Sequence, residues 1–251
     1  MRIKLLWDLR LLCERLATES QRRRRLARLK GTVAKNLNLH YATSLELLEI
    51  TRLHQPKTVY DIGACLGTWS VLAKACFPEA SIHAFEPLSV HFDEFYRLTQ
   101  GIPGLTLHKV ALGPKPGTFD MHVNSKTDTS SFLETHELGR KEWNMCTIRN
   151  ESVNTVVLDE YVVANRLPLP DLIKLNVQGY ELEVMRGGNN CLNYAKWILC
   201  EVNFEEYYKG QSLFHEVVAF LAEHRFRLYA LSIDTPLGQK LKQTDALFGH
   251  I

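Results

Sequence analysis

The chain has 251 residues, of which 45% are hydrophobic, enough for one globular domain with an additional segment. The first 30 residues contain ten basic and three acidic residues, whereas the remainder contains 20 basic and 25 acidic residues. This acidic body excludes the basic face of a nucleic-acid-binding domain. We find neither an apolar run of about 18 residues, as a membrane span needs, nor a secretory signal. The six scattered cysteines fit a reducing compartment, so we expect a cytoplasmic protein.

Residues 1–30 are predicted to form a basic amphipathic helix. One stripe of leucines recurs at helical spacing and is followed by four consecutive arginines, Arg22 to Arg25. Two interpretations remain open. The helix would either bind anionic lipid at the inner membrane face or pack on the body or on a second subunit. We therefore divide the chain into an N-terminal helical basic extension, residues 1–54, and a main domain, residues 55–251.

The main domain alternates predicted strands and helices, after a helix at 43–53 with Thr43 or Ser44 as its N-cap. Core strands are predicted at 58–62, 81–85, 105–110, 172–176, 197–202, 225–231 and 246–251, and helices at 68–76, 89–99, 158–165, 179–186 and 212–224. Two additional strands are predicted at 118–123 and 153–157. Residues 125–150 lack a clear period and are predicted as a lid, with Phe132 and Trp143 as substrate walls. This pattern predicts a three-layer α/β sandwich with seven core strands.

A glycine-bearing turn follows the first core strand. Such a strand–turn–helix unit binds a nucleoside-containing cofactor at the carboxyl ends of parallel strands. Because glycine lacks a Cβ, Gly63 and Gly67 would let the backbone pass close to a ligand, with Ala64 between them. Glu86 ends the second strand 19 residues after Gly67. An acid in this position accepts hydrogen bonds from two ribose hydroxyls.

The spacing of the glycines distinguishes between cofactors. A dinucleotide site needs Gly-x-Gly-x-x-Gly for its pyrophosphate, whereas Gly63 and Gly67 are four residues apart. Asp61 lies two residues before Gly63, and an anion there repels a pyrophosphate but attracts an ammonium or a sulfonium. We therefore predict S-adenosylmethionine, with Asp61 bonding its amino-acid end directly or through water. An NAD-dependent sugar-modifying oxidoreductase is the enzymatic alternative.

A second group of polar residues follows later strands. Alternation along a strand places Lys174 and Asn176 on one face. Glu181 begins the next helix, Glu201 ends the following strand and Asn203 comes after it. Since carboxyl ends of parallel strands border the ligand crevice, we predict that these five side chains converge there. The alternative is a buried Lys–Glu pair whose role is structural.

At these motifs the chain resembles the FkbM-type S-adenosylmethionine-dependent methyltransferases. The resemblance covers about residues 55–251, and the segment from Lys174 to Glu181 is its most specific part. The other motifs are Asp61-Ile62-Gly63-Ala64 with Gly67, Ala84-Phe85-Glu86-Pro87, Ala111-Leu112-Gly113 and Leu158-Asp159-Glu160. The resemblance implies a Rossmann-like class I methyltransferase fold with a seven-stranded, mostly parallel sheet. It also implies O-methylation of a hydroxyl on a sugar, a glycolipid or a natural product.

For the cofactor, we expect Val110 and Ala111 to flank the adenine, with Ser130 or Ser131 closing over it. For the acceptor proton, Glu201 is the favoured base. His136 on the lid is the second choice, because an unperturbed histidine titrates near pH ~6.5.

Asn176 stands where the family usually has an aspartate. An amide is not a base and is a weak ligand for a hard cation, so we assign Asn176 an orienting role and expect no divalent metal. The same departure supports a further alternative, a non-catalytic cofactor-binding module.

Overall fold

A seven-stranded sheet forms the centre of the protein in this computed structural model, which describes residues 19–37, 41–232 and 240–251. Its strands are β1 (Thr58–Ile62), β2 (Ser81–Phe85), β3 (Leu105–His108), β7 (Leu172–Leu175), β8 (Trp197–Asn203), β9 (Phe226–Leu231) and β10 (Gln243–His250). They lie in the order β3-β2-β1-β7-β8-β10-β9. The first five of these are parallel, and β10 is antiparallel to both its neighbours. The predicted seven-stranded, mostly parallel sheet is confirmed.

A smaller sheet covers one end of the cavity described below. It contains β4 (Ala111–Leu112), β5 (Gly117–Asn124) and β6 (Thr147–Val156), in the order β4-β6-β5. Both predicted additional strands are present, but β6 is longer than predicted and begins inside the segment that we expected to be a lid without regular structure. That segment also contains a helix.

Besides the helical residues 19–26, eight α-helices accompany the strands in the described part of the chain. They are α1 (Ala42–Thr51), α2 (Thr68–Cys76), α3 (Phe92–Thr99), α4 (Glu137–Trp143), α5 (Leu158–Ala164), α6 (Glu181–Arg186), α7 (Asn189–Tyr194) and α8 (Phe214–Glu223). The predicted bounds of α2 are confirmed, whereas α4 and α7 were not predicted. The N-cap prediction for α1 is wrong: Tyr41 is the N-cap, and both Thr43 and Ser44 lie inside the helix. The Ser44 hydroxyl lies 3.3 Å from Asp245 of β10, so it serves a tertiary contact.

The three-layer arrangement follows from the burial of β1 on both faces. All five of its residues are buried, as in parallel strands covered by helices on both sides. Tyr60 and Ile62 pack in one core cluster together with residues of α5, α6, α7 and α8. Val59 points the opposite way and packs in a second cluster with residues of α1 and α2.

The described part of the N-terminal extension packs on this body. Residues 19–26 are helical, and Leu29 is buried in the cluster that contains α1 and α2. Arg28 lies 2.9 Å from Glu49 of α1, and Arg25 forms an ion pair with Glu46. These contacts agree with the interpretation that the extension packs on the body of the protein. The leucine stripe of residues 1–18 lies outside the described residues. Where the chain is described, no helix is both long enough and apolar enough to cross a bilayer.

Two neighbouring strands each contribute a buried histidine, and the two rings stack: His83 lies on β2 and His108 on β3. Nδ1 of His83 lies 3.1 Å from Nε2 of His108, and Nδ1 of His108 lies 3.2 Å from the Tyr161 hydroxyl. Burial, reinforced by the neighbouring His83, lowers the pKa of His108 to about 4. Burial also lowers the pKa of His83.

We predict that this pair makes the fold sensitive to acid. Because the unfolded chain binds these protons at higher pH than the folded chain, the free energy of unfolding decreases as pH falls from 6.5 towards 4. His108→Gln should have a shallower dependence on pH over that interval in urea unfolding. The exposed His215 provides a matched control, His215→Gln, with the wild-type slope. Equal slopes for all three proteins would contradict this account.

Candidate active site

A cavity of about 1020 Å³ lies at the carboxyl ends of the parallel strands. The turn after β1, the end of β2, the residues that follow β7 and the end of β8 line it, and residues 126–130 cover part of it. The strand order reverses between β1 and β7, and in open α/β sheets this is where ligands bind. Pockets for one small ligand measure about 300–1,000 Å³. The volume of this cavity lies at the upper end of that range.

A buried ion pair holds the turn after β1. Oδ1 of Asp61 lies 3.0 Å from Nζ of Lys174, and the Ser70 hydroxyl donates to Oδ2 of Asp61 at 2.6 Å. Lys174 also donates to the carbonyl oxygen of Gly63 at 2.9 Å. Burial by itself would lower the pKa of Lys174, but the Asp61 carboxylate reverses this effect and raises it. Lys174 thus keeps its charge and neutralises Asp61.

This pairing changes the predicted role of Asp61. Asp61 is fully buried and does not line the cavity, whereas Lys174 does. The structure therefore does not place Asp61 for direct contact with a ligand in the cavity.

The glycines of the turn are needed for packing within the protein. Gly63 has a φ of +76°, and a Cβ there would lie 1.9 Å from the carbonyl oxygen of Asn176. Gly67 has a φ of +82°, and its Cβ would lie 2.6 Å from the ring of Phe95. Gly63 and Ala64 line the cavity, whereas Gly67 does not, so the geometry does not support contact of Gly67 with a ligand there.

Glu86 lies at the cavity wall, as ribose binding requires. Its Oε2 accepts a hydrogen bond from the backbone N–H of Cys65 at 2.9 Å, and its Oε1 accepts one from Leu88 at 2.9 Å. Nδ1 of His91 lies 3.1 Å from the same Oε1. A carboxylate offers about four acceptor positions, so these contacts leave capacity for a ligand hydroxyl.

Three of the four residues predicted near the adenine line the cavity. Val110 and Ala111 both line the cavity. Of the two serines, Ser130 lines it and Ser131 does not. The Ser131 hydroxyl instead donates to the carbonyl oxygen of Gln178 at 2.8 Å, which joins the lid to the segment after β7.

Glu201 lies in the cavity within a group of amides. Asn176 Nδ2 donates to its Oε1 at 3.4 Å, and Gln178 Nε2 donates to its Oε2 at 3.2 Å. Asp245 is the residue opposite Glu201 on the neighbouring strand β10. Burial first, and then the charges of Asp245 and Glu181, raise the pKa of Glu201 to about 8. An aspartate at position 176 would add another carboxylate beside this group, whereas the Asn176 amide donates to it.

Two other predicted catalytic residues do not line the cavity. Glu181 is 2% exposed, and its Oε1 accepts from the backbone N–H groups of Val177 at 2.9 Å and Gly179 at 3.3 Å. It therefore shapes the segment after β7. His136 is the N-cap of α4, where its Nδ1 accepts from the Leu138 N–H at 3.3 Å. Contact of either side chain with a substrate in the cavity is not supported.

Among the residues of the cavity wall that were not predicted from the sequence, three are prominent. Trp69 lies in the first turn of α2, and its buried Nε1 has no hydrogen-bond partner among the described residues. Tyr208 joins Gln178 to the lid, since its hydroxyl lies 2.8 Å from Gln178 Oε1 and 2.7 Å from the Thr129 carbonyl oxygen. The third is Asp245, which falls one residue before the predicted last strand.

The predicted substrate walls, Phe132 and Trp143, both line the cavity. Within the described ranges, no cluster of three or more His, Cys, Asp and Glu side chains is arranged to hold a metal ion.

Comparisons with known proteins agree with this geometry. The family model for the methyltransferase FkbM domain matches residues 61–228. The hexuronic acid methyltransferase AglP of Haloferax volcanii is 24% identical over 156 residues, which are 62% of this chain and 60% of that protein. The 2-O-methyltransferase NoeI of Sinorhizobium fredii is 26% identical over 170 residues, which are 64% of this chain and 70% of that protein.

A crystal structure of an FkbM methyltransferase from Methylobacillus flagellatus shares the fold. Its TM-score is 0.51 at 12% identity, and the match covers 78% of this chain and 44% of that one. The chain thus spans less than two thirds of the length of AglP and less than half of this solved protein.

The buried ion pair yields a prediction about stability. Lys174→Met leaves the Asp61 carboxylate buried without its cation, so we expect a loss of about 3–5 kcal/mol in the free energy of unfolding. The double variant Asp61→Asn/Lys174→Met should recover part of this loss because no buried charge remains. Urea unfolding measures all three proteins.

The exposed pair Lys209–Glu134 supplies the control. Lys209→Met should leave the free energy of unfolding almost unchanged, since water screens surface ion pairs. A similar small cost for Lys174→Met would show that the pair does not hold the turn.

Proposed function

This chain belongs to the FkbM methyltransferase family, and we propose that it transfers a methyl group from S-adenosylmethionine to a hydroxyl group of a sugar-containing acceptor. One observation carries the proposal: Glu86 and the turn after β1 share a single cavity with Glu201, whose pKa is raised to about 8. The first two features suit the cofactor and the third suits proton removal from an acceptor.

The residues at one end of the cavity fit the cofactor. Glu86 would accept hydrogen bonds from the ribose hydroxyls, while Val110 and Ala111 would contact the adenine. The buried Nε1 of Trp69 needs an acceptor, and the carboxylate of the cofactor's amino-acid end provides one. When bound, S-adenosylmethionine supplies an electrophilic methyl group on a sulfonium.

Glu201 would take the proton of the acceptor hydroxyl. Asn176 and Gln178 donate to its two oxygens and so hold the carboxylate in one orientation. A base whose pKa lies near the working pH removes a proton more effectively than an ordinary carboxylate. Because Asn176 would orient the base rather than act as one, an asparagine at this position is compatible with catalysis. This argues against the alternative of a non-catalytic cofactor-binding module.

The acceptor side supports a sugar. Phe132 and Trp143 present aromatic surface to the cavity, and Phe132 packs on Tyr180 with ring centroids 5.1 Å apart. The names of the two relatives point in the same direction, to a hexuronic acid and to a 2-O position. A glycolipid or a natural product bearing a hydroxyl would use the same chemistry. Membership of a methyltransferase family argues against the alternative of an NAD-dependent oxidoreductase.

Cofactor binding tests the first half of the proposal. Calorimetry should detect micromolar binding of S-adenosylhomocysteine and no binding of NAD. Glu86→Ala should weaken the former by at least ~10-fold, because the ribose loses charge-assisted hydrogen bonds. The surface variant Glu94→Ala on α3 should bind like the wild type. Unchanged affinity in Glu86→Ala would remove Glu86 from the site.

The protonation of Glu201 tests the second half. Because the ionised form is the base, turnover should rise as pH increases through about 8. Asp245→Asn removes a neighbouring negative charge, so the midpoint should move to lower pH. Labelled methyl uptake by a panel of uronic-acid glycans and glycolipids measures turnover, and carboxyl NMR follows the Glu201 titration without an acceptor.

Glu201→Gln provides the comparison for the base. It should reduce kcat by ~100-fold or more while leaving S-adenosylhomocysteine binding within a few-fold of the wild type. An equal loss of turnover and cofactor affinity would indicate a structural role for Glu201 instead.

A further inference from the structure

A cysteine, a histidine and a glutamate form a chain of contacts at the cofactor end of the cavity. Sγ of Cys65 lies 3.7 Å from Nε2 of His91, and Nδ1 of His91 lies 3.1 Å from Oε1 of Glu86. The imidazole therefore has a sulfur on one side and a carboxylate on the other. All three residues line the cavity. Placement of a nucleophile beside a base that a third group orients is the arrangement of activated thiols.

The surroundings favour a protonated His91. Burial by itself lowers the pKa of His91, but its contacts with Cys65 and Glu86 outweigh burial and raise that pKa to about 10. His91 is only 3% exposed, so water does not screen its charge from the sulfur. A nearby positive charge favours attack by a sulfur nucleophile.

The other described cysteines lack this environment. Burial raises the pKa of Cys76 to about 12, and burial also raises the pKa values of Cys191 and Cys200. Cys146 is exposed on the surface. Cys65 alone combines access from the cavity with a histidine contact among the described cysteines.

We propose that Cys65 is a covalent modification site for soft carbon electrophiles, and that its modification blocks the cofactor site. In the reaction with a haloacetamide, a sulfur–carbon bond forms, the carbon–halogen bond breaks and halide leaves, while the proton of the thiol stays on His91. The added group would occupy the cavity beside Glu86, because the Cys65 backbone N–H bonds directly to that carboxylate. The blocking step rests on the proposed function, since it assumes that the cofactor lies at this turn.

The backbone conformation of Cys65 makes the turn after β1 sensitive to a group added to its side chain. Cys65 has a φ of +49°, in the left-handed region that is strained for residues with a Cβ. The hydrogen bond from its N–H to Glu86 helps to hold this conformation. A modified side chain that no longer fits beside His91 would therefore displace both the turn and Glu86.

The first experiment measures alkylation by iodoacetamide at neutral pH in the full chain. All proteins carry Cys13→Ser, because Cys13 lies outside the described residues. Peptide mass spectrometry should show that Cys65 reacts at least ~10-fold faster than Cys146, and that His91→Gln removes this advantage. Saturating S-adenosylhomocysteine should slow the reaction at Cys65 and not at Cys146.

Two results would contradict the proposed reactivity of Cys65. One is a Cys65 rate no higher than the Cys146 rate in the parent protein that carries only Cys13→Ser. The other is an unchanged Cys65 rate in a His91→Gln protein whose circular dichroism shows that it is folded.

The second experiment measures S-adenosylhomocysteine binding by calorimetry before and after alkylation. The wild type should lose its binding in proportion to the fraction of Cys65 modified. Cys65→Ser, treated identically, should keep whatever binding it had before treatment. Full modification of Cys65 without loss of binding would overturn the blocking step. Absence of binding before treatment would instead count against the proposed function, while the rates of alkylation would still decide whether Cys65 is activated.

Discussion

The salt bridge between Asp61 and Lys174 is the interaction on which the rest of the site depends. It joins the ends of two adjacent parallel strands, β1 and β7, at the point where the strand order reverses. Burying two charges costs several kcal/mol, and this cost is offset only when the remaining donors and acceptors are satisfied. Ser70 on α2 and the Gly63 carbonyl provide those hydrogen bonds. The pair therefore sets the relative positions of β1, β7, α2 and the turn between β1 and α2.

Two groups of residues with different proposed roles line the cavity. In the first group, the turn brings the backbone N–H of Cys65 against Glu86, the carboxylate that we propose for the ribose hydroxyls. In the second group, Asn176 and Gln178 donate hydrogen bonds to the two carboxylate oxygens of Glu201. Tyr208 links Gln178 to the lid backbone, so the position of the lid and the orientation of the proposed base are connected. A displacement of the lid would therefore change the orientation of Glu201.

Much of the fold could be predicted because local patterns dominate it. The strands of the central sheet are short apolar runs separated by turn residues, and α2 was predicted at its observed bounds. The failures have tertiary causes. Ser44 looks like an N-cap by residue type, yet its hydroxyl faces Asp245 across the fold. The six residues of α7 are too few to show a helical period, and packing of Cys191 and Leu192 into the core decides their conformation.

The sequence by itself determined the class of fold, the family and the position of Glu86 and Asn176 directly after strands, because periodicity and short motifs are properties of neighbouring residues. Glu201 was predicted to end its strand, but β8 continues to Asn203. Only the tertiary structure decided which charged side chains can contact a ligand and which are paired within the protein. It pairs Asp61 with Lys174, which lies more than a hundred residues away, and it fills the space above Gly63 and Gly67 with Asn176 and Phe95. It also brings Asp245 beside Glu201 and His91 beside Cys65. Such contacts depend on strand order and register across the sheet, and the linear sequence does not encode these in any local pattern.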